Sequence, residues 1–333
     1  TNLAVGMMFF AMGLVKKIAG ADKVADYSDS LFTAVAAGAN PTMQEAWFGT
    51  IAYSLQIYFD FSGYSDMAIG IARVFGIVLP LNFFSPYQAT SIIDFWRRWH
   101  ITLSRFLRDY LYIPLGGGRV IKARRYANLM ITMVLGGLWH GAAWTFVVWG
   151  GLHGAYLVIN HLWRWLKTRL GWRKEGGILA RCGSALLTFV AVSIAWVFFR
   201  AETFPQAWTV LTAMFAPGHL AMTIEGLSFV GTETFAEADI SRIPKSANLE
   251  TLLLFLAIVW FLPNTSQIMG QFQPALDPTG VMNGALPWYR RWELSLLEWR
   301  PDWLRLGFLI ALLLIGYNKL INQLESPFLY FNF

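Results

Sequence analysis

Apolar positions along this chain run in long blocks, not in the alternation of strands, and short polar or basic clusters separate the blocks. Residues 3–18 are apolar up to Lys16-Lys17, which reads as a cytoplasmic flank. Residues 47–79 form a longer, less apolar stretch with Gly63, Gly70 and Gly76 as breaks and room for one span with a polar inner side. Residues 91–111 mix Arg97, Arg98, Arg105 and Arg108 with Trp96, Trp99, Phe106 and Tyr110, the pattern of a helix lying at an interface or re-entering it. A glycine-rich basic loop follows over 115–125. Two apolar arms, 127–139 and 142–163, meet at Trp139-His140-Gly141. Further spans are predicted over 183–199, closed by Arg200, over 252–262, ended by Pro263, and over 303–320. The polar stretches 201–248 and 264–301 read as loops, and 328–333 as an aromatic tail. A helix needs roughly 20 apolar residues to cross hydrocarbon. The pattern therefore predicts an all-α, polytopic transmembrane chain, treated as one membrane-embedded domain over residues 1–333.

Composition strengthens that picture. Hydrophobic residues make up 56% of the chain and charged residues only 14%, against about 25% charged in soluble domains. Too few charges remain to build a water-facing surface, and a soluble fold is set aside. The formal net charge of +6 is gathered between the apolar blocks. In a membrane chain this marks cytoplasmic loops and contact with anionic lipid, and nucleic acid is not an expected partner. The basic stretches before residue 127 and over 164–181 then lie on one side. The first arm of the hairpin between them is about 13 residues, roughly 20 Å of helix, shorter than a hydrocarbon core of about 30 Å. His140 is thus expected at a hairpin tip within the membrane's thickness. The one cysteine, Cys182, forbids an intrachain disulfide, and no cysteine or histidine cluster suggests a metal. The chain starts at Thr1 without a signal-peptide pattern, which suggests that helices precede it in the natural protein.

Of the five histidines, His140 draws most attention. An ionisable group at membrane depth is costly and usually faces a cavity. The small neighbours Gly136, Gly137, Gly141, Ala142 and Ala143 let a substrate approach, and a neutral imidazole is the natural general base near pH 7. A core histidine bonded to a backbone carbonyl is the competing reading. His100 reads as a second polar group beside the site or as part of an aromatic belt. On one continuous helix it would share a face with Trp96 and Ser104. His153, His161 and His219 read as structural. Asp60, Asp66 and Asp94 lie in apolar surroundings and need partners; Asp60 is expected to pair with an arginine of the 97–108 stretch or to orient a histidine. Arg97, Arg98, Arg105, Arg108, Arg119, Lys122, Arg124 and Arg125, with Gly116–Gly118, suit either lipid contact or the phosphates of a donor such as coenzyme A.

The runs 58–66 (YFDFSGYSD), 94–115 (DFWRRWHITLSRFLRDYLYIPL) with 116–118, 136–141 (GGLWHG), 149–154 (WGGLHG) and 197–201 (VFFRA) resemble the bacterial alginate O-acetyltransferase branch of the membrane-bound O-acyltransferase (MBOAT) family, densely over about 6–200. The resemblance implies a ring of tilted helices, with re-entrant or interfacial pieces, around a central funnel. It places the family histidine at His140 and a second functional histidine at His100; the residue pattern itself adds Asp60, Asp94, Trp139, Arg97, Arg98 and Ser104 as expected substrate contacts. The resemblance implies acetyl-CoA as a cytoplasmic donor substrate, no tightly bound cofactor, and a location in the bacterial inner membrane. The implied partners are a periplasmic acetyl carrier or transferase protein and an alginate-like exopolysaccharide. Transfer of a D-alanyl group to a cell-wall polymer, a proton-coupled transporter and a non-catalytic scaffold are the alternatives carried forward.

Overall fold

The computed structural model describes residues 2–171, 177–216, 249–277, 299 and 302–322. Among them every regular element is helical, and strand pairing is limited to an isolated bridge between Pro80 and Leu276. Among the described residues two helices are long and apolar enough to cross a membrane, Asn2–Ala36 and Ile178–Arg200.

The first helix departs from the sequence expectation. α1 (Asn2–Val15) does not stop at the lysine pair but passes through a π-helical turn, Lys16–Ala21, into α2 (Asp22–Ala36). Lys16 and Lys17 are therefore not a flank. Lys16 Nζ lies 2.6 Å from Asp66 Oδ2, and Lys17 Nζ lies 2.9 Å from Asp22 Oδ1 and 2.7 Å from Asp60 Oδ1. Low-dielectric surroundings favour this: a buried ammonium needs carboxylates around it, and a π turn widens the helix where such groups converge.

α3 (Met43–Val74) is one uninterrupted helix of 32 residues. It is launched by a capping box in which Thr42 Oγ1 accepts from Glu45 N and Glu45 Oε2 accepts from Thr42 N. Gly63 and Gly70 do not break it. They serve close packing against α1, because a β-carbon at Gly63 would stand 2.7 Å from Gly13 O and one at Gly70 2.6 Å from Gly6 O. Small residues facing each other at this spacing let two backbones touch. α3 also packs on α2 and on α8 (Ile178–Arg200).

The expected interfacial helix over 91–111 is three pieces. α4 (Ile92–Arg98) ends in a break at Trp99-His100, α5 (Ile101–Phe106) follows, and a π turn spans Leu107–Tyr112. His100 adopts left-handed backbone angles, φ 42° and ψ 56°, so Trp96, His100 and Ser104 do not share a helical face. α6 (Lys122–His140) and α7 (Trp144–Arg169) form the predicted hairpin. The helix begins earlier than expected, since Lys122, Arg124 and Arg125 form its first turn in place of loop; its apolar part keeps the predicted length.

The polar stretch after Arg200 contains α9 (Phe204–Met214), capped by Thr203. α10 (Leu249–Phe261) and the short α11 (Thr265–Ile268), capped by Asn264, come next, and α12 (Trp303–Asn322) packs against α1. Residues 217–248, 278–298 and 300–301 of the two predicted loops, which include His219, and the 328–333 tail lie outside the described residues. The main core is aromatic, with Tyr53, Tyr87, Phe95, Trp99, Trp149 and Trp196 all buried within it.

Candidate active site

His140 is the last residue of α6. Gly141 and the small residues after it turn the chain into α7, whose Phe146 and Trp149 return against the imidazole at ring-centroid distances of 6.2 and 5.3 Å. Phe199, at the end of α8, packs on it edge-on at 4.9 Å, and Trp139 flanks it at 5.0 Å. The imidazole is thus clasped by aromatic edges from three helices.

Across from it, the break between α4 and α5 turns His100 inward, where it is 8% exposed. Phe61 meets its ring at 4.8 Å. His140 and His100 line one narrow chamber of about 20 Å³, walled by Ile57, Asp60 and Phe61 of α3, Trp96, Trp99 and Leu103 beside His100, and Trp149, Trp196 and Phe199. That is room for about one water or one hydroxyl. The walls are apolar except for the two imidazoles and Asp60, so charge that develops there is weakly screened.

His100 is anchored from below. Its Nδ1 lies 3.1 Å from Asn82 Oδ1, which also accepts from Thr102 Oγ1 at 3.0 Å, and Asn82 Nδ2 donates to Ser65 Oγ at 3.2 Å. Asp60 is 1% exposed and faces Lys17, not an arginine of the 97–108 stretch. Lys17 in turn bridges Asp60 and Asp22, which lets a carboxylate persist in the chamber wall.

Of the sequence candidates, His140, His100 and Asp60 are brought together. Asp94 is not: it pairs with Arg98 one turn along α4, Nε to Oδ1 at 2.8 Å, and neither lines the chamber. Arg97 is exposed, and Ser104 Oγ donates to Trp99 O at 3.1 Å. Trp139 touches His140 but is 57% exposed. Lys17, Asn82, Trp149, Trp196 and Phe199 were not singled out from the sequence. The spacing of Lys16-Lys17 against Asp60 and Asp66 is the signal that could have found the first, since a pair of cations facing a pair of acids in apolar stretches can only be buried as ion pairs. His153, fully buried against Trp96 and Trp149, stands behind the chamber wall.

None of the basic set lines the chamber, and Lys122 lies far from it. Lys122 stacks over Trp165 at 5.7 Å, Arg169 over the same ring at 5.5 Å, and Lys167 over Trp163 at 5.6 Å. This belt of cations on indoles sits at the end of the α6–α7 hairpin opposite His140, as charged and aromatic residues do at a membrane interface. Among the described residues no group of three or more His, Cys, Asp or Glu is arranged to hold a metal ion.

Residues 1–199 match the family described as MBOAT, membrane-bound O-acyltransferase family. The chain belongs to this family. Every residue lining the histidine chamber falls inside the matched span, and Phe199 is its last position. Among relatives, the peptidoglycan O-acetyltransferase of Helicobacter pylori is 36% identical over 342 residues, covering 100% of this chain and 57% of the relative. The probable alginate O-acetylase AlgI of Pseudomonas aeruginosa is 38% identical over 359 residues, covering 100% of this chain and 64% of the relative. The teichoic acid D-alanyltransferase of Streptococcus thermophilus is 37% identical over 134 residues, 38% of this chain and 32% of the relative. This MBOAT chain thus spans about three fifths of the length of the first two relatives.

Proposed function

We propose that this chain is the membrane-embedded acyltransferase domain of a multi-pass inner-membrane enzyme that moves an acetyl group from a cytoplasmic thioester, acetyl-CoA, to a hydroxyl outside the membrane. The acceptor is a sugar hydroxyl of an exported or cell-wall polysaccharide, reached directly or through a serine of a periplasmic partner protein. No tightly bound cofactor is needed. The observation that carries this reading is the meeting of His140 and His100, from separate segments, in one narrow chamber whose wall also holds Asp60.

In the proposed mechanism His140 takes the proton of the attacking hydroxyl. The oxygen adds to the thioester carbonyl, the C–S bond breaks as the ester forms, and the coenzyme A thiolate leaves with the proton that His140 returns. A positioned base contributes about 10²–10⁴-fold. Low screening in an apolar chamber enlarges each electrostatic contribution to the oxyanion and imidazolium that form. The charged and aromatic belt at the other end of the α6–α7 hairpin suits a cytoplasmic face, from which the donor would arrive. Acetyl is favoured over D-alanyl because the relatives matched over the whole chain are named for acetyl transfer, whereas the D-alanyl relative matches 38% of it.

The test is incubation of the purified full-length protein with labelled acetyl-CoA and either alginate, peptidoglycan or a candidate periplasmic partner. Label is expected on polymer or on a partner serine, and His140→Ala is expected to lose transfer while inserting normally. Transfer by His140→Ala at the wild-type rate removes His140 from its role. Transfer only from a D-alanyl thioester replaces the acetyl reading.

A further inference from the structure

His100 occupies a left-handed turn, φ 42°, a backbone state that residues with a β-carbon seldom adopt unless their surroundings enforce it. Asn82 enforces it from two directions. Its backbone oxygen accepts from Ile101 N at 3.0 Å, and its side-chain Oδ1 accepts from Thr102 N at 3.3 Å and from Thr102 Oγ1 at 3.0 Å. The neighbouring Phe84 N donates to Arg98 O at 3.0 Å, so the 82–84 segment brackets the turn.

A backbone amide can only donate. The Asn82 side-chain atom that meets Thr102 N is therefore the oxygen, and the orientation of its amide is settled without reference to the histidine. The amide nitrogen then points to Ser65 Oγ, 3.2 Å away. His100 Nδ1 lies 3.1 Å from that same oxygen. Two acceptors repel, and the Thr102 hydroxyl, 3.4 Å from Nδ1, donates instead to that oxygen at 3.0 Å, so in the neutral ring Nδ1 carries the hydrogen and Nε2 the lone pair.

We propose that Asn82 is a positioning residue for acyl transfer, locking His100 as the Nδ1–H tautomer so that Nε2 is an acceptor in the wall of the chamber that His140 also lines. The consequence follows from charge. When His140 has taken the hydroxyl proton it is an imidazolium in an apolar chamber. An acceptor lone pair on the facing ring, directly or through one water, stabilises that cation, as the carboxylate of a catalytic triad does. The opposite tautomer would present a second N–H dipole to it and raise the barrier. The catalytic consequence rests on the transferase reading; the tautomer does not.

The experiment reads the two separately. Nitrogen NMR of the full-length protein with isotope-labelled histidine, His100 being assigned by its loss in His100→Gln, is expected to show hydrogen on Nδ1 and none on Nε2. Asn82→Leu is expected to give a mixture of tautomers and to lower kcat about tenfold or more, within the range of a disturbed acid–base group, with KM for acetyl-CoA changed less than about twofold. Asn82→Asp keeps an oxygen acceptor at the same place and is expected to restore both the tautomer and most of the rate. Hydrogen on Nε2 in the wild-type protein, or Asn82→Leu with wild-type tautomer and kcat, overturns the proposal. If Asn82→Leu does not fold, the wild-type and Asn82→Asp spectra still decide it. Wild-type protein that transfers no acetyl group yet shows the expected nitrogen pattern refutes the transferase reading and leaves the tautomer lock standing.

Discussion

Lys17 Nζ lies 2.7 Å from Asp60 Oδ1, and the two residues are 6% and 1% exposed. The ammonium comes from the π turn of the first helix and the carboxylate from the middle of α3, so a residue at the edge of the helical pattern neutralises the wall of the histidine chamber. Asp22 shares the same ammonium at 2.9 Å. Lys17→Met removes the cation from between two carboxylates, and a buried pair broken from one side costs about 3–5 kcal/mol. Thermal unfolding in detergent is expected to show this loss, and Lys17→Met combined with Asp22→Asn and Asp60→Asn to recover much of it. A Lys17→Met protein as stable as wild type would show the charges to be solvated in a way these distances do not allow.

Asp60 and Asp94, the two aspartates expected from the sequence to contact substrate, should separate on mutation. Asp60 lines the chamber, whereas Asp94 belongs to an i,i+4 pair on α4 with Arg98, the two side chains 29% and 25% exposed. Such helix pairs contribute about 0.3–0.5 kcal/mol. Asp94→Asn is therefore expected to leave acetyl transfer within about threefold of wild type. If His140 becomes an imidazolium as proposed, Asp60→Asn removes a carboxylate from the same chamber wall; a lost interaction of about 1.4 kcal/mol is tenfold in rate. The ratio of kcat values for the two variants decides it, and equal effects would place the chemistry somewhere other than this chamber.

Glycine substitutions should change stability in opposite directions. At Gly13 a β-carbon would lie 2.5 Å from Gly63 O, whereas at Gly151 on α7 nothing stands within 4 Å. Gly→Ala in a helix gains roughly 0.5–1 kcal/mol from backbone entropy, and overpacking costs about 1–3 kcal/mol. The second wins at Gly13, because the obstacle is backbone and cannot rotate away; the first wins at Gly151. Melting temperatures should fall for Gly13→Ala and rise for Gly151→Ala. A rise in both would mean that α1 and α3 are not in contact at this point.

How much of this was legible in the residues depends on what kind of constraint acts. The α6–α7 hairpin was readable because its apolar arms and the Trp139-His140-Gly141 junction are local features. The break at His100 was not. Residues 91–111 have the composition of one amphipathic helix, and the turn is held by Asn82, which is far enough away in sequence that its bonds to residues 100–102 are tertiary. Gly63 and Gly70 looked like breakers because a glycine's cost is local, while its use, the approach of α1, is a contact with a distant segment. Lys16-Lys17 looked like a flank for the same reason: a cation at the end of an apolar run is usually solvated, and only the partners at Asp60 and Asp66 turn it inward.

The orientation of the chain in the membrane can be tested with a native residue. Cys182 is the single cysteine and is exposed at the start of α8. It follows the basic stretch 164–181, and Lys and Arg near span ends are retained on the cytoplasmic side. The cation–indole belt of Lys122, Lys167, Arg169, Trp163 and Trp165 lies at the same end of the α6–α7 hairpin. A membrane-impermeant maleimide is therefore expected to leave Cys182 unmodified in intact spheroplasts and to modify it in inverted vesicles. The result bears on catalysis as well as topology. If the belt is cytoplasmic, the donor thioester arrives along the α6–α7 hairpin from its basic end and His140 stands at the far end of that path, where an outside hydroxyl can meet it. Modification of Cys182 in intact spheroplasts would invert the hairpin, put the basic belt on the acceptor's side, and require the thioester to reach His140 from the tip.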